Sequence, residues 1–444
     1  MARDEIPQGV GRSAQLASLP LSIAGRAVAG WGRSLVRGPD EDASAAAAAR
    51  TAEQLFAVLG TLKGGAMKLG QALSVYDAMV PAEFAEPYHD ALAKLQTAGP
   101  PMPVRDVHRM LAEQLGSGWR GRFTEFDDEP VAAASIGQVH RAVWRGRDGR
   151  PHRDVAVKVQ YPGADVALDA DLRQLQRFSR LVGVVFPGLD AKALLAELRE
   201  RMLEEVDYRL EAERQRTFSA AFAEDPAVSV PAVVASAPKV LVAEWVHGEP
   251  LGRFIGRPAD ADEQARRDGW AHAIIETMFS TPSRLGLLHA DPHPGNFLVR
   301  PDGGLAMVDF GAVARLPDGI PPVLVEILRR TARNESAQLM DLLRREGFVS
   351  VEAQEADVLR WIGALADPLR VPEFHFTRDW MARQGARVAN PTNRAFTQTA
   401  RALNLPAEHV LVVRVLGGWM NILSQLDVTV AARGIVERWV PGFR

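Results

Sequence analysis

The chain has 444 residues, 47% apolar and 24% charged, and its 52 Lys and Arg nearly balance 55 Asp and Glu, for a net charge of −3. At ~150 residues per domain this is two or three domains' worth of chain with ample core material, and so even a balance offers no field for nucleic acid. The absence of cysteine excludes disulfides, thiolate zinc, iron–sulfur clusters and cysteine nucleophiles.

At the amino terminus, Asp4 and Glu5 stand where a secretory leader carries only positive charge. No run nears the ~18 uninterrupted apolar residues that span a bilayer. A cytoplasmic protein without a transmembrane helix is therefore expected. Residues Gly11 to Gly38 carry Arg12, Arg26, Arg33 and Arg37, no acid, and the apolar Trp31, Leu35 and Val36. Basic amphipathic segments adsorb to anionic headgroups, so peripheral membrane contact is one reading of this arm. Pro20 and five glycines favour the other, a loosely packed arm, residues 1–38.

Asp40, Glu41 and Asp42 supply an acidic helix start. Helices are predicted from there to about Leu62, from Met67 to Met79, from Pro81 to Gln96 and from Val104 to Leu115, making residues 39–122 a helical extension. Strands are predicted at Val131–Ala134, Val139–Trp144 and Val155–Val159. Ala164 to Phe222 reads as helical, and Val228–Val234 and Val240–Val246 as two more strands, the first demoted towards an edge by Pro231. After residue 247 the chain turns helical, except for a hairpin of Phe297–Arg300 and Leu305–Val308 around Pro-Asp-Gly-Gly. Residues 312–444 read as helical throughout, with His409–Leu426 a buried helix. The expected fold class is α+β: a two-lobed, protein-kinase-like fold with a helical N-terminal extension, lobes at 123–247 and 248–444, and a helical C-terminal region.

The strongest local signal is His289-Ala-Asp291-Pro-His293-Pro-Gly-Asn296, joined by the hairpin to Asp309-Phe310-Gly311. Phosphoryl transfer needs phosphate charge neutralised and an oxygen nucleophile oriented in line. Asp291 supplies a base, and Asn296 and Asp309 supply hard oxygen ligands suited to Mg²⁺. A transition-metal site at His289, Asp291 and His293 is the competing reading, and it leaves Asp309-Phe-Gly unexplained. Lys158 ends Val155-Ala-Val-Lys on the third strand, with Glu205 and Glu211 downstream, as in kinases where a helix glutamate holds the phosphate-binding lysine. Where kinases place GxGxxG, this chain has the loop Ala132-Ala133-Ala134-Ser135-Ile-Gly-Gln138, and alanines resist the positive φ that glycine allows.

These motifs resemble the UbiB-type (AarF/UbiB) atypical kinases: AAASIGQVHRA at 132–142, VAVKVQ at 155–160, HADPHPGN at 289–296 and DFG at 309–311. Lys68-Leu-Gly-Gln71 matches the family's KxGQ signature, and Glu205-Val-Asp207 its ExD motif. The resemblance spans about residues 40–345 and implies ATP with Mg²⁺, an extension lying across the substrate site, and support of ubiquinone or other isoprenoid-lipid metabolism. By residue it implies Lys158 on the phosphates, Asp309 and Asn296 on metal, and Asp291 as catalytic aspartate. It further implies nucleotide contact at Ala132, Ala133, Ala134, Ser135 and Glu244. Lys68, Gln71, Glu205 and Asp207 would join the catalytic group, with Glu205 and Asp207 facing either the KxGQ helix or the metal, and either Glu205 or Glu211 would pair with Lys158. The expected partners are ATP and a lipid or small-molecule acceptor. Two rivals stand beside this reading: a soluble small-molecule phosphotransferase, which would share HxDxxxxN but not KxGQ, and a non-catalytic ATP-dependent scaffold.

Overall fold

The computed structural model describes residues 101–177 apart from 135, 147, 148 and 150, together with 206–350, 353–388 and 404–444. Helix α1 (Val104–Leu115) buries Val107, Met110, Leu111 and Leu115, one stripe at helical spacing. That stripe lies on a sheet formed by β1 (Phe123–Ala134), β2 (Gly137–Trp144) and β3 (Arg153–Gln160) with two later strands. Along β3, Val155, Val157 and Val159 are fully buried and share a cluster with α1, while Ala156 and Lys158 alternate to the other face. The long segment predicted as helical contains α2 (Ala164–Arg177) and α3 (Tyr208–Ala221).

The strand predicted at Val228–Val234 is two strands in two sheets. β4 (Val228–Ser229) pairs in parallel with a strand of the second lobe, whereas β5 (Val233–Ala237) pairs with β6 (Val240–Glu244) in the first. Pro231 lies at the crossing, where its missing N–H would interrupt any continuous ladder. The first sheet runs β1-β2-β3-β6-β5.

After β7 (Glu249–Pro250) comes α4 (Ala261–Leu285), started by Asp260, whose carboxylate accepts from Glu263 N at 2.8 Å. β8 (Leu287–His289) follows, then the expected hairpin, β9 (Phe297–Val299) antiparallel to β10 (Leu305–Met307). The second sheet is β4-β10-β9-β7.

The C-terminal half is not helical throughout. β11 (Val313–Arg315) pairs antiparallel with β8. Beyond α5 (Pro322–Ala332), α6 (Ser336–Arg345) and α7 (Glu355–Ala366), β12 (Phe374–Phe376) precedes α8 (Arg378–Val388) and α9 (Ala407–Leu426) and pairs with β13 (Val428–Val430), before α10 (Ala432–Trp439). Strands of three residues carry too little periodicity to read from sequence. The α9 helix is the predicted buried one: Val412, Val415, Trp419, Ile422, Leu423 and Leu426 enter the large core around α4. No helix among the described residues is long and apolar enough to cross a membrane.

Candidate active site

Lys158 faces away from α1, and on that face Glu211 from α3 meets it. The ammonium donates to both Glu211 carboxylate oxygens, at 2.8 and 2.9 Å, and lies 3.6 Å from Asp309 Oδ2. Side-chain exposure is 15% for Lys158 and 3% for Glu211, so the pair is largely out of water. Burial opposes the ammonium's charge; Asp309 and Glu211 outweigh it and hold the Lys158 pKa above its ordinary value. The Tyr208 ring lies 5.0 Å below the same ammonium, a further cation contact.

Local sequence explains why Glu211 arrives there. Asp207 caps α3 by accepting from Arg209 N, and Tyr208, Glu211, Ala212, Gln215 and Phe218 then fall on the helix's buried stripe. The Asp207 carboxylate also clasps the Arg209 guanidinium, at 2.6 to 3.2 Å, and those hydrogen bonds hold its pKa below the usual carboxylate value. Of the two glutamates left open by the sequence, Glu211 is the partner of Lys158. Glu205, Lys68, Gln71 and Ser135 lie outside the described residues.

The turn carrying Asp309 is held from three sides. Asp309 Oδ1 accepts from Gly311 N at 2.9 Å. His289 Nε2 donates to the Asp309 carbonyl at 2.6 Å, which fixes that nitrogen as the protonated one. Phe310 is fully buried between the rings of Phe218 (5.1 Å) and His289 (5.7 Å), and Arg214 of α3 donates to the Gly311 carbonyl at 2.8 Å. Tyr208 and Arg214 were not singled out from the sequence. Tyr208 shares the helical stripe with Glu211, and that spacing was the available signal.

In the loop before the hairpin, Asn296 Nδ2 donates to Asp291 Oδ2 at 2.9 Å and to the Asp291 carbonyl at 3.2 Å. The amide nitrogen is thus committed to Asp291, which leaves the amide oxygen as the ligand-forming end of Asn296. The hairpin returns beside this loop, with Val308 N donating to the Asn296 carbonyl at 3.1 Å, one residue before Asp309. Asp309 and Asn296 therefore offer hard oxygen donors that fit Mg²⁺, a cation taking one or two protein ligands together with phosphate. Among the described residues no three His, Asp or Glu side chains gather as a metal cage. His289, Asp291 and His293 form no such group, so the His-Asp-His alternative has no cage here.

One expectation needs correction. Ala132, Ala133 and Ala134 are not a loop: they pair with Val139, Gln138 and Gly137 in the β1–β2 ladder. None of the three has positive φ, as expected of residues bearing Cβ. The Glu244 side chain lies apart from the Lys158 group, and its expected nucleotide contact belongs to the proposal below. Lys158 pairs with Leu241 and Val155 with Glu244, so the Glu244 carboxylate shares the Val155 face, opposite Lys158. There it accepts from Arg153 at 3.2 Å and from Ala232 N at 3.4 Å.

Residues 94–343 match the ABC1 atypical kinase-like domain. The chain is similar to the mitochondrial atypical kinase coq-8 of Caenorhabditis elegans, 31% identical over 67% of this chain and 39% of that protein. It is also similar to the chloroplastic protein ACTIVITY OF BC1 COMPLEX KINASE 1 of Arabidopsis thaliana, 32% identical over 71% of this chain and 45% of that protein. It thus spans less than half the length of these relatives. Among solved structures it is similar to a Mycobacterium tuberculosis protein in complex with erythromycin, 43% identical with a TM-score of 0.66, covering 91% of this chain and 99% of that one. With more than half its length matched, the chain belongs to the ABC1 (UbiB/AarF) family of atypical kinases.

Proposed function

We propose that the chain binds Mg·ATP between its lobes and transfers the terminal phosphoryl group to water or to a small or lipid acceptor, in support of quinone or isoprenoid-lipid metabolism. The observation that carries this reading is Lys158 held between Glu211 and Asp309, a buried cation with carboxylates from two other elements around it. Lys158 would meet phosphate oxygens. Asp309 and Asn296 would hold Mg²⁺, which when bound neutralises charge on the phosphates. Asp291, oriented by Asn296, would accept the proton of the attacking hydroxyl. The division into a basic arm (1–38), a helical extension (39–122) and lobes at 123–247 and 248–444 belongs to the same proposal. Peripheral membrane contact through the arm belongs to it as well.

Four intact groups favour turnover over a scaffold that only binds nucleotide. The test is Mg²⁺-dependent ATP turnover by the purified protein, with and without anionic liposomes and phenolic quinone-precursor mimics, and with Asp291→Asn beside it. Turnover lost in the variant while ATP binding persists is expected. Equal turnover in both proteins would overturn the role of Asp291, and a protein that binds no nucleotide would overturn the whole reading.

A further inference from the structure

Helix α9 lies beyond the matched residues 94–343, yet it touches the loop that carries Asp291 at two places and the first residue of β9 at a third. Arg414 Nη2 donates to the Ala290 carbonyl at 2.8 Å, the peptide immediately before Asp291. A Cβ at Gly418 would lie 2.4 Å from Pro292 Cγ, so the helix backbone is in contact with the ring immediately after Asp291. One residue on, the Trp419 ring stands edge-on to Phe297 at 5.2 Å, just past Asn296.

We infer that Arg414 and Gly418 are positioning residues for Asp291. The inference rests on the reading of Asp291 given above. The backbone entering Asp291 is held on both sides, because Ala290 N donates to the Ala312 carbonyl at 2.9 Å while the Ala290 carbonyl takes Arg414. With the preceding peptide plane fixed and the following ring stopped by the helix, little freedom remains for the Asp291 backbone. Gly418 is needed for that approach, since any side chain there meets Pro292. Its neighbour Gly417 has open space where a Cβ would go, which makes the pair an internal control. Glycine is otherwise a poor mid-helix residue.

Small displacements of a reacting group cost rate far more than they cost binding, on the order of a hundred-fold for about 1 Å. The experiment compares Arg414→Met, Arg414→Lys, Gly418→Ala and Gly417→Ala in the full chain, by steady-state ATP turnover, ADP thermal shift and hydrogen exchange of residues 288–297. The expected result is a kcat roughly ten- to a hundred-fold lower in Arg414→Met and Gly418→Ala. The ATP KM and the ADP shift should stay near wild type, and the 288–297 segment should exchange faster. Arg414→Lys should recover part of the rate, because one donor suffices for the carbonyl. Gly417→Ala should match wild type. A wild-type kcat in Arg414→Met, equal losses in Gly417→Ala and Gly418→Ala, or unchanged exchange would overturn the inference. Absence of turnover in the wild type would instead defeat the reading of Asp291, and exchange alone would then judge whether Arg414 and Gly418 hold the loop.

Discussion

Arg214 and Glu211 stand three residues apart on α3, one reaching the Gly311 carbonyl at 2.8 Å and the other the Lys158 ammonium at 2.8 Å. Residues at that spacing share a helix face. One helix therefore holds both the strand lysine and the turn carrying Asp309, and a shift of α3 breaks both contacts together.

Lys158→Met leaves the Glu211 carboxylate, 3% exposed, without its cation. Removing one partner of a buried pair costs about 3–5 kcal/mol. Urea unfolding should register a loss of that order, and ATP should no longer raise Tm. Adding Glu211→Leu should recover stability without recovering the ATP response. Full ATP stabilisation in Lys158→Met would remove the lysine from the phosphate site.

Asp309→Asn keeps an oxygen that can accept from Gly311 N and loses the charge that suits Mg²⁺. The variant should fold, while the extra thermal stabilisation that Mg²⁺ adds to ATP should vanish. An undiminished Mg·ATP shift would place the metal elsewhere.

Ala134→Gly puts glycine into the β1–β2 ladder opposite Gly137. The freed backbone allows positive φ and closer approach to phosphates, so the ratio of ATP to ADP affinity should change or self-phosphorylation should rise. Stability should fall by about 0.5–1 kcal/mol. Titration calorimetry with both nucleotides measures the first effect, and identical affinities without new phosphorylation would show that this strand end does not reach the phosphates.

His140 carries a pH dependence whose sign follows from its bonds. Gln138 accepts from Met102 N at 2.7 Å and donates to His140 Nε2 at 2.9 Å, which keeps that nitrogen bare, while Nδ1 donates to the Asp127 carbonyl at 2.8 Å. Burial is the main cause lowering the His140 pKa, partly opposed by the Asp127 carbonyl bond and the nearby Asp128 and Asp127 charges. The unfolded chain thus takes up this proton at a higher pH than the folded one. The stability the neutral ring supplies is fully present above about pH 6.5 and is lost as pH falls from there through the lower folded value. Urea midpoints from pH 7.5 to 5 should fall more steeply for wild type than for His140→Gln. Parallel curves would exclude His140 as the titrating group.

Much of the first lobe was legible because its strands alternate. Val155-Ala-Val-Lys-Val could be read as a strand with one valine face, and the Pro-Asp-Gly-Gly turn marked the hairpin between Asn296 and Asp309. The division at Pro231 was half legible: the residue signalled an interrupted ladder, but which sheet would take each half depends on β10, more than 70 residues later. The three-residue strands β11, β12 and β13 left no period to detect, and their pairing is decided by partners remote in sequence.

By itself the sequence determined which chemical groups the chain carries and which of them are chain neighbours. Asp291 and Asn296 are five residues apart on one loop, close enough that local backbone geometry joins them. Only the tertiary structure decided which groups meet across the fold. Glu211 reaches Lys158 from 53 positions away because the buried stripe of α3 turns it inward, and Glu244, one strand from the lysine, is turned away by its register. Arg414 reaches Ala290 across 124 positions only because the apolar stripe of α9 seats that helix against the core. Spacing along a chain sets local contacts, whereas contacts between distant residues follow from which apolar faces bury one another, and that is a property of the packed whole.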